Sequence, residues 1–270
     1  MISSLIRSFN GSTVKEIPTT YLEFSSSTPM TIKPIYTNSG VLLQYKIDGG
    51  QWKNISSGVT TPSANVIYFR GVATGTKSLY SVSNSAYAWV FTGATNLECI
   101  GNINSLIQDV LGGDVLDIKL GDYCYGYMFY GCKSLTTAPT LPSTTINFCC
   151  YEGMLSGCSS LTVAPTLPAT TLAQYCYQRM FSGCTSLTVV PTLPATTLTG
   201  YCYKEMFRNC TNSKVSTTKT GEYQTEYRIP PTGTGKLSTD SLTDMFLNTG
   251  GTFKGTPNIN TIYYTANIIV

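Results

Sequence analysis

CYEGMLSGCSSLTVAPTLPATTLAQY, residues 150–175, runs directly into CYQRMFSGCTSLTVVPTLPATTLTGY, residues 176–201, and the two blocks agree at 19 of 26 positions. Working outward, the same step places Cys124, Cys150, Cys176 and Cys202 in one column and Cys132, Cys158, Cys184 and Cys210 in another, with Met128, Met154, Met180 and Met206 between them. A unit of this length with regularly placed leucines buries its apolar side only by stacking on its neighbours. Within a unit, Cys176, Met180, Phe181 and Cys184 fall at i, i+4, i+5 and i+8, which predicts about two helical turns, ended by a positive φ at Gly183. SLTVVPTLP then predicts a short strand, with Leu187 and Val189 alternating with Thr188, and an extended segment bounded by Pro191 and Pro194.

Blocks of the form CYxxMFxGCxSLTxxPxLPATTL resemble the BspA-type leucine-rich repeats found in surface proteins and phage-associated proteins of gut Bacteroidales. The resemblance is dense over 123–210. On its N-terminal side, Val90 to Leu97 resembles a degenerate MFxGCxSL, and Gly101 to Ile107 resembles the segment preceding the repeats in that family. On the other side, Met245-Phe246-Leu247-Asn248 resembles a last copy without its cysteine, 39 residues after Met206, with Asn212 to Lys236 as an insertion outside the pattern. Atypical end units are expected, because the ends of a repeat stack need polar caps.

Before about Tyr87 the 26-residue period is absent. Leu43, Tyr45 and Ile47 alternate with polar residues, Asp48-Gly49-Gly50 follows, and Trp52 and Ile55 continue beyond it, a hairpin signature. Val66 to Gly71 predicts another strand, and Met30 to Tyr36 a further one, demoted to an edge by Pro34. Short strands at this spacing predict a small β-sandwich. The expected architecture is therefore mainly β with short helices: a sandwich-like docking or spacer domain over 1–86, then a leucine-rich repeat solenoid over 87–270, regular through 124–210 and closed by an insertion and cap over 211–270.

The 270 residues contain no histidine, and 11% are charged, against about 25% in an ordinary soluble domain. Without histidine there is no Ser-His or Cys-His nucleophile pair, no His-ligated metal and no imidazole base. A net charge of +3 from seventeen basic residues offers no concentrated field for nucleic acid. No apolar run reaches the 18 or more residues of a membrane span, and Met1 to Asn10 lacks the apolar core of a signal peptide. The expectation is a protein folded in a cytoplasm, without cofactor, nucleic acid or membrane insertion.

Ten cysteines raise disulfide and metal readings. Disulfides belong to oxidising compartments, and Cys-x7-Cys is not a zinc spacing. The two columns read first as ladders of buried, reduced, small side chains, with some disulfides and then a metal as alternatives. Cys149-Cys150 is the one vicinal pair, and Cys149 stands where later copies have Tyr175 and Tyr201. Seven of the nineteen tyrosines flank the first cysteine column. Tyr123, Tyr175 and Tyr201, with Tyr177 and Tyr203, form the candidate binding face, a platform for sugar rings or a partner protein. The alternative is that the column of Tyr125 fills the seam between units. Asp114, Asp117 and Asp122 lack calcium-loop spacing, Gly112-Gly113 and Gly250-Gly251 are turns, and Cys184-Thr185-Ser186 has no base beside it.

Repeats of this type without catalytic groups predict a non-enzymatic recognition or scaffolding protein. The resemblance, joined to the missing export signal, implies a virion protein of a phage of gut bacteria: a capsid fibre, decoration or tail-associated protein that contacts other virion proteins, copies of itself and a host glycan or protein. A bacterial cell-surface adhesin is the alternative, and an enzyme accessory domain a third. Homo-oligomers, trimers among them, are expected, with Asn212–Lys236 and the alternating tail Ile262 to Val270 as candidate contact strands.

Overall fold

The computed structural model of the chain describes residues 21–80, 88–107, 120–217 and 223–266. The fold is mainly β. Strands β1 (Leu22–Lys33), β2 (Thr37–Ile47), β3 (Lys53–Asn54), β4 (Ala64–Tyr80), β5 (Val90–Thr92), β6 (Leu97–Ile100) and β7 (Leu135–Thr137) form one open sheet in the order β3-β2-β4-β1-β6-β7, with β5 also on β1. The expected hairpin is present: Gln44 pairs with Asn54 and Tyr45 with Lys53 around the turn at Asp48 and Gly49.

Two expectations for this region are corrected. The 21–80 strands do not make a sandwich; among the described residues no second sheet faces them. Their buried side chains pack instead on the coil side: Phe24 meets Phe69 of its own sheet and, beyond it, Trp89, Phe91 and Phe129, at ring-centroid distances of 5.6–6.2 Å. β1 is also not an edge. It ends at Lys33, before Pro34, and is flanked by β4 on one side, with an irregularity in that pairing between Ser25 and Met30, and by β6 and β5 in one continuous register on the other. Gly71 of β4 lies so close to the 3-10 turn Ile103–Leu106 that a Cβ there would run into the Leu106 carbonyl.

The predicted helices of the repeats are replaced by a different local structure, and the hydrogen bonds give the reason. Through the regular units, even-numbered amides bond within the unit three residues back, as in Met154 to Tyr151, Met180 to Tyr177 and Met206 to Tyr203, each 3.2 Å. Odd-numbered amides mostly bond outward to the next unit: Phe129 to Met154, Leu155 to Met180, Phe181 to Met206 and Phe207 to Met245, at 2.9–3.0 Å. An α-helix would consume both sets in i to i−4 bonds; here half are released to join neighbouring units. A left-handed residue every fourth position keeps the segment coiling, at Cys149, Gly153 and Gly157, then Tyr175, Arg179 and Gly183, then Tyr201, Glu205 and Asn209, then Asp240, Asp244 and Asn248. The positive φ expected at Gly183 is there, at 75°, but it belongs to this series and ends no helix.

The units therefore stack as coils. Parallel pairing joins Leu97 to Leu135, Val163 to Val189, Thr145 to Thr171 and Thr197 to Lys236 on the opposite side of each coil. Val90–Leu97 and Met245–Asn248 join the series as their resemblance to the repeats implied: Phe91 stacks on Phe129 (5.8 Å, 15°), and Phe246 on Phe207 (5.6 Å, 7°). Phe181 on Phe207 (5.5 Å, 3°) continues the column. At the far end β8 (Tyr223–Arg228) and β9 (Ile262–Ala266) pair antiparallel, and Phe253 and the buried Tyr263 cover Phe246. The part of the expected contact tail within the described residues is thus built into the cap.

Candidate recognition surface

Two tyrosine columns flank the first cysteine column, and they face opposite ways. Tyr125, Tyr151, Tyr177 and Tyr203 are buried and stack ring on ring at 5.7–5.9 Å with interplanar angles of 7–18°. Tyr177 and Tyr203 consequently leave the candidate binding face: they lie buried in the seam between coils, two residues after the left-handed Tyr175 and Tyr201. Burial pushes the hydroxyl pKa of all four well up.

Tyr123, Tyr175 and Tyr201 are partly exposed and do form an outward row. Its missing member is Phe148. Cys149 occupies the tyrosine register in that coil but is buried, and the preceding ring takes the outward place. Phe148 lies 5.4 Å from Tyr123 and 5.5 Å from Tyr175, turned 80° and 76° from them, whereas Tyr175 and Tyr201 are parallel at 4.7 Å. Tyr175 and Tyr201 cover each other's faces, so this end suits a partner that hydrogen-bonds phenol hydroxyls better than one that needs a bare ring face for stacking. Lys204 closes the row with its ammonium 5.3 Å from the Tyr201 centroid. Asp240, hydrogen-bonded to the Tyr201 hydroxyl, raises that hydroxyl's pKa.

A polar ladder runs beside the row. The Tyr127 hydroxyl donates to Glu152 Oε1 at 3.0 Å, its ring lying against Gly153 where a Cβ would collide with it. One coil on, Arg179 donates through Nε and Nη2 to the two oxygens of Glu205, both at 3.1 Å, and Arg208 adds a third bond at 2.9 Å. These bonds hold the Glu205 carboxyl below its ordinary pKa. The sequence reading missed Phe148, Lys204 and the Arg179–Glu205 pair; Phe148 is legible only as the aromatic immediately before a cysteine that breaks the tyrosine column.

None of the ten cysteines is in a disulfide and all are buried, the vicinal Cys149 and Cys150 included. Both columns, Cys124/Cys150/Cys176/Cys202 and Cys132/Cys158/Cys184/Cys210, lie inside the stack. They are more than small apolar fillers. Cys158, Cys184 and Cys210 donate Sγ–H to the carbonyls of Phe129, Leu155 and Phe181 in the preceding coil, at 3.0–3.2 Å. Burial raises their pKa, to about 12 at Cys184 and about 11 at Cys132 and Cys202. Among the described residues no three His, Cys, Asp or Glu side chains are grouped to hold a metal, and no helix is long and apolar enough to cross a membrane. Asp114, Asp117 and Gly112-Gly113 lie outside the described residues. Comparison with protein-family models, curated proteins and solved structures finds no match to this chain.

Proposed function

We propose that the chain is a non-enzymatic recognition and structural protein: a capped leucine-rich repeat solenoid of the BspA-like type, carried in the virion of a bacteriophage of gut bacteria as a fibre, decoration or tail-associated protein. The observation that carries the recognition part is the outward row Tyr123, Phe148, Tyr175 and Tyr201, which crosses four coils and ends at Lys204 and Asp240. Tyrosines held at fixed spacing on a rigid stack present contact area and hydroxyls at little entropic cost. The resemblance of the repeats to phage-associated proteins supports the address. Self-association and contacts with other virion proteins belong to the same reading.

Mass spectrometry of phage particles purified from the natural source tests the address. The expected result is this chain at a fixed copy number relative to the major capsid protein. Recovery of the chain in the cell envelope of uninfected bacteria, and its absence from particles, would move it to the adhesin reading. Replacing Tyr175 and Tyr201 together by Ala tests the face: particle adsorption should fall at least about tenfold, as on removal of interface anchors, while the protein stays folded with a melting temperature lowered by no more than a few degrees.

A further inference from the structure

We propose that the solvent face of the N-terminal sheet holds a binding site for an organic ammonium group, a site that Lys46 of the same chain occupies in this conformation. The Lys46 ammonium lies 4.8 Å from the ring centroid of Tyr68, 5.3 Å from Trp52 and 5.7 Å from Tyr21. Those rings come from three places in the sheet. Tyr68 is the direct cross-strand partner of Lys46, Tyr21 precedes β1, and Trp52 sits between the hairpin turn and β3. A cross-strand pair alone needs one contact; convergence of three aromatic groups on one cation is the arrangement that recognises ammonium and quaternary ammonium ligands.

The cage is pre-organised without Lys46. Tyr21 and Tyr68 meet edge to face at 5.3 Å, Tyr21 and Trp52 are 6.3 Å apart, and Arg70 lies 4.3 Å from the Trp52 centroid with its Nε donating to Gln44. Two carboxylates face the cage, Glu23 and Asp48, which after burial raise the Tyr68 hydroxyl's pKa, with Arg70 as the opposing charge on the Trp52 side. Lys46 has no carboxylate within salt-bridge distance among the described residues, so its flexible stem is held there by the rings. It acts as a tethered competitor, and a site open only a fraction of the time binds more weakly by that fraction. The inference stands apart from the coil face and from the virion address.

Tetramethylammonium chloride and choline chloride titrated into the full chain, with sodium chloride at matched ionic strength as the control, test it through tryptophan fluorescence. Trp52 is the partly exposed reporter, and Trp89 is buried on the other side of the sheet. The wild-type protein should show weak saturable quenching. Lys46→Thr should bind at least about tenfold more tightly, the gain expected if the cage is open about a tenth of the time, and Lys46→Arg should not. Adding Trp52→Leu to Lys46→Thr should abolish the tighter binding, scored by two-dimensional NMR shifts of the tyrosine rings because the reporter is gone. A folded Lys46→Thr protein with no saturable response, or a response that sodium chloride reproduces, overturns the proposal. If Lys46→Thr does not fold, the wild-type titration decides: no saturable quenching overturns it.

Discussion

Tyr203 carries its hydroxyl into the stack and finds no partner there, whereas Tyr125 donates to the Ile103 carbonyl at 3.1 Å. The acceptor lies outside the regular units: Ile103 belongs to the 3-10 turn Ile103–Leu106, and Tyr151, one unit further on, has no partner for its hydroxyl either. An unpaired buried hydroxyl costs about 1–3 kcal/mol and a made bond contributes about 1 kcal/mol. Tyr203→Phe should therefore leave stability unchanged or raise it by about 1 kcal/mol in urea titration, and Tyr125→Phe should lower it by about 1 kcal/mol. The thiols give a second prediction at this scale. Because all ten are buried, and burial raises the pKa of the whole second column while the thiolate is the reactive form, the folded protein at pH 8 should resist alkylation. Denatured without reductant, it should label at nearly all ten cysteines; a count near zero would mean disulfides.

Among the described residues, coils are joined by amides, thiol and hydroxyl hydrogen bonds, stacked rings and the ion pairs around Glu205. Glu205 is the charged part. Its pKa is lowered in the folded protein, so its contribution is present above the ordinary carboxylate pKa and is lost as pH falls through the depressed value. Between pH 7 and pH 3 the wild-type melting temperature should drop more than that of Glu205→Gln; equal drops would remove the ion pairs from the stability account. Phe181→Ala should cost about 3–5 kcal/mol, as buried aromatic truncations do, whereas Tyr175→Ala on the outward row should cost much less. Part of the coil was legible in the sequence. Gly131, Gly157 and Gly183, followed by Asn209 and Asn248, are residue types that accept a left-handed backbone. Other left-handed sites, among them Tyr123, Cys149, Tyr175, Arg179, Tyr201 and Glu205, carry no such signal. Spacing of i, i+4 and i+8 fits a helix as well as a chain of turns that repeats every four residues, so periodicity alone chose the wrong one.

Across the whole molecule the repeat sets length and the ends set closure. Phe91 and Phe246 extend the Phe column in sequences that keep only fragments of the motif, so the stack was readable beyond its regular part. The N-terminal sheet was readable strand by strand but not in its partner. Alternation in 43–47 and 66–71 reports one buried face, and nothing local tells that Phe24 will meet Phe129 of the first coil, 105 positions away. The cap shows the same limit: Tyr263, inside the expected assembly strand, is buried against Phe246 and Phe253.

The central claim is that 26 residues make one structural coil. Deleting residues 176–201 joins Tyr175 to Cys202 in register, and a deletion of about half that length, 176–188, does not. Thermal unfolding followed by circular dichroism, with native thiol protection on the same samples, compares the two. The account predicts a cooperative transition and protected cysteines for the 26-residue deletion, and loss of both for the shorter one. Collapse of the 26-residue deletion, or equal tolerance of the two, would contradict it.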